Sequence, residues 1–106
     1  MIGNAAKFSI GCIVKHKHFN FRGVIYDVDF EFNNSENWYQ SIPKEVRPRK
    51  DQPFYHLLAE SDNVTYEAYV SEQNLLIDNS KQPIKHPLIE EMFVGKKGSS
   101  YFKLSN

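Results

Sequence analysis

Cysteine is nearly missing from the chain: Cys12 stands alone. An intrachain disulfide is therefore excluded, as is a zinc site built on paired thiolates, and a reducing compartment suits the composition. Net charge is missing too, with 13 Lys and Arg balanced by 13 Asp and Glu. That argues against a uniformly electropositive nucleic-acid coat, though not against a local basic patch. No apolar run nears the roughly 20 residues of a bilayer span. The first residues lack the charged and apolar regions of an export signal, Gly3 comes one place late for myristoylation, and Lys103–Asn106 carries no lipidation signal. A cytoplasmic location without membrane attachment is the expectation. Also absent are Gly-x-Ser-x-Gly, a phosphate-cradling Gly-rich loop and HExxH. What the chain has in excess is aromatic residues, with 8 Phe, 6 Tyr and 1 Trp among 106 positions. Such a chain suits one core rather than two, dense for its size.

The first third alternates. Phe8, Ile10, Cys12 and Val14 share a face at period two, which reads as a strand, although Ile13 interrupts the polar side. A short link, Lys17 to Phe21, leads to a second run in which Val24, Tyr26, Val28 and Phe30 alternate with Ile25, Asp27, Asp29 and Glu31. The two form a hairpin candidate. Residues 33–50 leave the pattern, with a helical turn expected near Trp38 to Ile42. Phe54–Glu60 is almost continuously apolar and reads as a central strand. Asp62-Asn63 signals a turn, Thr65–Val70 a fourth strand, and Leu75–Ile77 a short fifth. Leu88 with Met92 and Ile89 with Phe93 sit four apart, so Pro87–Val94 is expected to be a short helix capped by Gly95. The expected class is mainly β: a small SH3-like five-stranded antiparallel β-barrel with a short C-terminal helix. Residues 1–106 form one domain in this reading, with 96–106 a flexible tail that Tyr101 and Phe102 are placed to tack down. The expected core is Phe8, Ile10, Val14, Val24, Tyr26, Val28, Tyr55, Leu57, Tyr69 and Leu75.

Three constellations bear on chemistry. His16 and His18 share a strand face, but zinc needs further ligands, and Lys15-His16-Lys17-His18 reads more simply as a solvated cationic strand end. Asp27 and Asp29 also share a face, yet a catalytic dyad needs one carboxyl desolvated in a cleft, and a polar stripe continued by Glu31 is the plainer reading. Cys12 falls on the core face, where a thiol packs rather than reacts. No catalytic residue, metal or cofactor is therefore expected, and a binding protein is favoured over an enzyme. Charge distribution is more telling. Met1–Tyr26 holds Lys7, Lys15, Lys17 and Arg22 without an acid, and Lys44–Lys50 adds Lys44, Arg47, Arg49 and Lys50 against one acid. With Phe19, Phe21, Trp38 and Tyr39 nearby, these clusters suit phosphate contact and base stacking. Lys15, Lys17, Arg22, Lys44, Arg47, Arg49 and Lys50 are the candidate DNA-binding residues.

Phe8-x-Ile10-Gly11-x-x-Val14-x-His16, Phe21-x-Gly23-Val24-Ile25-x-Asp27-x-Asp29, Trp38, Gln52-Pro53-Phe54-Tyr55-His56-Leu57-Leu58, Tyr69-Val70-Ser71-Glu72-x-Asn74-Leu75 and His86-Pro87 occur in this order. The series resembles the HspQ/YccV-like family over about four-fifths of the chain. It departs at Phe21, where the family often has a small residue, and at Val28-Asp29-Phe30, which replaces a frequent Trp-Asp-Pro. The resemblance implies a small β-barrel heat-shock protein that binds hemimethylated double-stranded DNA. It also implies an accessory role in degrading damaged or unstable proteins, including the replication initiator, by an ATP-dependent protease, and a small homo-oligomer, expected to be a trimer. It supplies no catalytic residue.

Overall fold

The computed structural model describes residues 5–103. Asp62 and Asn63 both take positive φ, 46° and 68°, the conformation that a two-residue hairpin turn demands and that Asp and Asn tolerate. They join strand β3 (Phe54–Ser61) to strand β4 (Val64–Ser71), paired along their full length from Ser61–Val64 to Phe54–Ser71. On its other side β3 pairs with β2 (Arg22–Asp29), which pairs with β1 (Ile13–His16), and β1 pairs with β5 (Leu75–Ile77). The result is a five-stranded antiparallel sheet in the order β4-β3-β2-β1-β5. A 3₁₀ turn, Glu72–Asn74, carries the chain from β4 to the far edge. Because β5 is three residues long and, among the described residues, pairs with β1 alone, β4 and β5 remain the two edges. The class is mainly β as expected, but the sheet is not closed into a barrel.

Adjacent residues point to opposite faces of a strand, and both faces here are covered. Val14, Ile25, Leu57 and Ala59 join Phe8, Tyr55, Val70 and Leu75 in one buried cluster. Their neighbours Ile13, Val24 and Leu58 join Ile84, Phe93 and Tyr101 in the other. Ile13, which interrupts the alternation in sequence, is thus a core residue of the second face. The expected core reaches that face at Val24 and Tyr26 but misses Ile13, Leu58 and the cover from Ile84, Phe93 and Tyr101, which comes from far along the chain. Tyr26, Val28 and Tyr69 are only partly buried, and Ile10 is 46% exposed.

Two local irregularities explain these corrections. The first strand begins at Ile13 rather than Phe8, because the chain turns at Gly11 (φ 94°) with the Cys12 amide donating to Ser9 O at 3.1 Å. That turn throws Ile10 outward. In β2 the register with β3 shifts between Ile25 and Asp27, leaving Tyr26 as an unpaired bulge. A bulge reverses the alternation: Tyr26 packs with the second cluster and Val28 with the first.

Helix α1 (Glu36–Gln40) starts two residues before the expected turn, because the Ser35 hydroxyl accepts the Trp38 amide at 3.0 Å and caps it. The expected helix over 87–94 shrinks to α2 (Ile89–Met92). Phe93 goes extended to bury its ring beside Tyr101, 5.5 Å away, and Gly95 opens a strand instead of capping the helix. Strands β6 (Gly95–Lys97) and β7 (Ser100–Phe102) then form a hairpin. The fraying expected from residue 96 therefore gives way, through Lys103, to a segment pinned by buried Tyr101 and by the Tyr101 amide, which donates to Gly11 O at 2.7 Å. Residues 104–106 of that expected tail lie outside the described residues.

Candidate nucleic-acid interface

The seven cations named from sequence have different fates. Arg22, the first residue of β2, between Lys15 of β1 and Glu60 of β3, is saturated. Its Nε donates to Asp78 Oδ2 at 2.8 Å, Nη1 to Glu60 Oε1 at 2.8 Å and Pro83 O at 3.0 Å, and Nη2 to Gln82 O at 2.6 Å and Ser80 Oγ at 3.3 Å. Those are all five guanidinium donors, so a phosphate finds none free. Asp78 is buried, which alone raises its pKa, but bonds from Arg22 and Ser80 outweigh burial and hold the carboxyl at about 2. Arg47 is turned inward as well. Nε and Nη2 donate to Ile42 O at 3.1 and 2.8 Å, Nη2 also to Gln40 O at 3.1 Å, and the guanidinium lies 5.5 Å from the Tyr39 ring. It ties down the carbonyls that follow α1.

Arg49 pairs with Asp51 at 2.8 Å, and Lys50 with Glu36 at 2.6 Å while its ammonium lies 4.5 Å from the Tyr39 ring. Both pairs are exposed, so they exchange readily with other anions. Lys15, Lys17 and Lys44 are exposed and show no side-chain ion pair or hydrogen bond among the described residues. Lys15 shares a polar depression of about 650 Å³ with Arg22, Glu60 and Asp78, so that basin carries both signs.

A second concavity is of another kind. Between the 17–21 loop, the α1 excursion and the end of the β3–β4 hairpin lies an apolar groove of about 260 Å³, lined by Phe19, Phe21, Trp38, Phe54 and Tyr69 among others. Its walls hold one another. The His16 Nδ1 accepts the amides of His18 and Phe19 at 3.0 and 3.1 Å, folding the loop back so that the Phe19 ring lies 4.7 Å from the imidazole. On the opposite wall Trp38 stands edge-on to Tyr69 at 5.3 Å, and Phe54 stacks on Tyr69 at 5.2 Å. Gln52 fastens the excursion to the β4–β5 turn, donating to Gln73 Oε1 at 2.6 Å and accepting the Gln73 amide at 3.0 Å. No carboxylate lines the groove among the described residues. The sequence flagged Phe19, Phe21 and Trp38 as aromatics near cations, but not Ser71, whose buried hydroxyl has no partner among the described residues. A serine ending a strand carries no such signal.

The histidine and carboxylate constellations resolve differently. His16 spends Nδ1 on loop amides, so the His16–His18 pair acts as a loop clasp. Asp29 Oδ2 lies 2.9 Å from His56 Nε2 and accepts the Tyr69 hydroxyl at 2.8 Å. With Asp27 these residues offer three ligand atoms within 4.8 Å of one another. A divalent cation there must displace the hydrogen bonds already made. Of the expected solvent-facing stripe, Asp27 and Glu31 are exposed, whereas Asp29 is half-buried and helps seat Tyr69, a wall of the groove.

Comparison with known proteins places the chain. It is 32% identical over 95 residues to F-box only protein 21 of Homo sapiens and of Pongo abelii, and 30% identical to that of Mus musculus. Each alignment covers 89% of this chain but 15% of the relative, so the chain spans about one seventh of the length of these curated relatives. Residues 6–100 match the family described as hemimethylated DNA-binding protein YccV like. With nearly the whole described fold inside that match, the chain belongs to the YccV-like family of hemimethylated DNA-binding proteins.

Proposed function

We propose that this chain is a non-enzymatic module that grips duplex DNA by its phosphates and reads hemimethylated sites. The observation that carries the reading, beyond family membership, is the set of exposed lysines Lys15, Lys17 and Lys44, uncommitted among the described residues; Lys17 and Lys44 stand within two positions of residues that line a groove without carboxylates. Arg49 and Lys50, in exchangeable surface pairs, join them. Arg22 and Arg47 serve the fold. Three to five phosphate contacts give a log K against log salt slope of about −3 to −4.5, at −0.9 per contact. Anisotropy titrations with methylated, hemimethylated and unmethylated duplexes, each over a salt series, test this. Changing Lys15, Lys17 and Lys44 together to Ala should flatten the slope by about three. Parental affinity of that variant at low salt sinks the assignment. A cytoplasmic stress-response setting and a trimeric assembly belong to the same proposal, and solution mass measures the assembly.

A second reading, as an accessory factor for an ATP-dependent protease, is favoured by the outer edge of β4. That edge pairs with no strand among the described residues and runs past exposed Val64 and Tyr66. An extended peptide adds to such an edge through main-chain hydrogen bonds, and its binding should be nearly indifferent to salt. Helix α2 does not serve this reading, since Leu88, Ile89 and Met92 pack against the second cluster.

A further inference from the structure

The aromatic groove is the part of the molecule that neither the phosphate-gripping lysines nor the fold explains. We propose that it is a receptor for a single nucleobase swung out of a DNA strand. The inference rests on the DNA-binding reading and deepens it. Phe19 and Phe21 stand on one wall and Trp38 and Tyr69 on the other, and a volume of about 260 Å³ suits one planar ring rather than a helix or a long side chain. Stacking on aromatic faces is how extruded and single-stranded bases are held, and it asks for π-surface rather than charge.

Two polar features decide between a base and an apolar side chain of a protein. Ser71 lines the groove and is 2% exposed, yet its Oγ has no hydrogen-bond partner among the described residues. Buried hydroxyls are normally paired. A Leu or Phe side chain entering the groove leaves that hydroxyl orphaned, whereas the edge of a base offers it a donor or an acceptor. His16 adds a second contact: because Nδ1 accepts two backbone amides, the ring proton of the neutral imidazole sits on Nε2. His16 and Ser71 both line the groove, and no carboxylate among its lining repels the phosphates that follow the base. The Lys17 amide donates to Asn74 O, a lining residue, at 2.9 Å, which sets that lysine beside the groove. Apolar walls also favour a methylated base by about fourfold, the worth of one buried methyl group.

Trp38 is the chain's one tryptophan, so its emission reports directly on the groove. The experiment titrates the protein with hemimethylated and unmethylated duplexes, with a short single strand, and with an apolar peptide, reading Trp38 emission and anisotropy together. Stacking of a base should quench Trp38 as DNA binds, more strongly for the methylated strand. Phe19→Ala should weaken DNA binding by roughly 5- to 150-fold, the range for loss of one base–aromatic stack. Phe19 is 60% exposed, so an unchanged melting curve confirms that the variant folds. Ser71→Ala should lower affinity with the fold intact. Duplex binding with unaltered Trp38 emission and a parental Phe19→Ala variant overturns the base receptor while leaving the phosphate grip in place. Quenching by the single strand without duplex binding upholds the receptor and sinks the duplex reading. Quenching by the peptide alone overturns the proposal in favour of a protein ligand.

Discussion

The Arg22 guanidinium bridges β2 to Glu60 on β3 and to the 78–83 segment beyond β5, with Asp78 as its most buried partner. Asp78 titrates at about 2 in the folded chain, below its usual 3.8. A depressed carboxylate stabilises the fold above its unfolded pKa, and the benefit fades as pH falls through the folded value. Denaturant midpoints measured from pH 6 to pH 2 should therefore drop between about pH 4 and pH 2. At 1.36 kcal/mol per unit, the loss amounts to about 2 kcal/mol. Arg22→Ala should remove about 2 kcal/mol at neutral pH and flatten that acid limb. Arg22→Lys should recover little, since an ammonium has three donors and no planar fork. Neither change should alter the salt slope of DNA binding, a result that separates Arg22 from Lys17. Ser71→Ala is expected to leave stability unchanged or to raise the melting point, because it deletes a buried polar atom that bonds to nothing among the described residues.

At the level of elements, Gly11 governs where β1 begins. A Cβ on Gly11 would lie 2.0 Å from Tyr101 O, in a conformation at φ 94° that other residues resist. Gly11→Ala should cost about 3 kcal/mol or more in a denaturation series, combining strain with the loss of the Tyr101 bond. The same region shows what local sequence reveals. Strands β3 and β4 and their Asp62-Asn63 turn were legible because hairpin pairing and turn chemistry are local. So were β2 and β5. The start of β1 was hidden, since Phe8, Ile10 and Cys12 keep period two across a turn that the distant Ile25 and Tyr101 backbones help to fix. The bulge at Tyr26 was equally silent, as it replaces one apolar side chain with another. Helix α2 kept its i,i+4 pattern but lost half its length to the burial of Phe93. Of the candidate site, the cations were legible as residue types, whereas their partners were not. Asp78 stands 56 positions from Arg22, and nothing short-range announces the pairing.

The whole molecule is a sheet sandwiched between unequal covers, and its balanced charge is distributed rather than uniform. Single Ala substitutions should sort the cations by measured slope. Lys15, Lys17 and Lys44 should each flatten log K against log salt by about one, with melting points unmoved. Arg47 should lower the melting point instead, because its guanidinium holds the Gln40 and Ile42 carbonyls. A Leu57→Ala variant, truncating a side chain with no exposure, should lose about 2–5 kcal/mol and weaken every function together.

The hydrogen bonds from Tyr101 to Gly11 and from Ile13 to Ser99, at 2.7 and 3.1 Å, stitch the β6–β7 hairpin to the start of the first strand. A fold closed in this way cannot be finished until its last strand has been delivered by the ribosome. Until Tyr101 arrives, Ile13, Val24 and Leu58 lack part of their cover, and the growing chain shows apolar surface that the finished one hides.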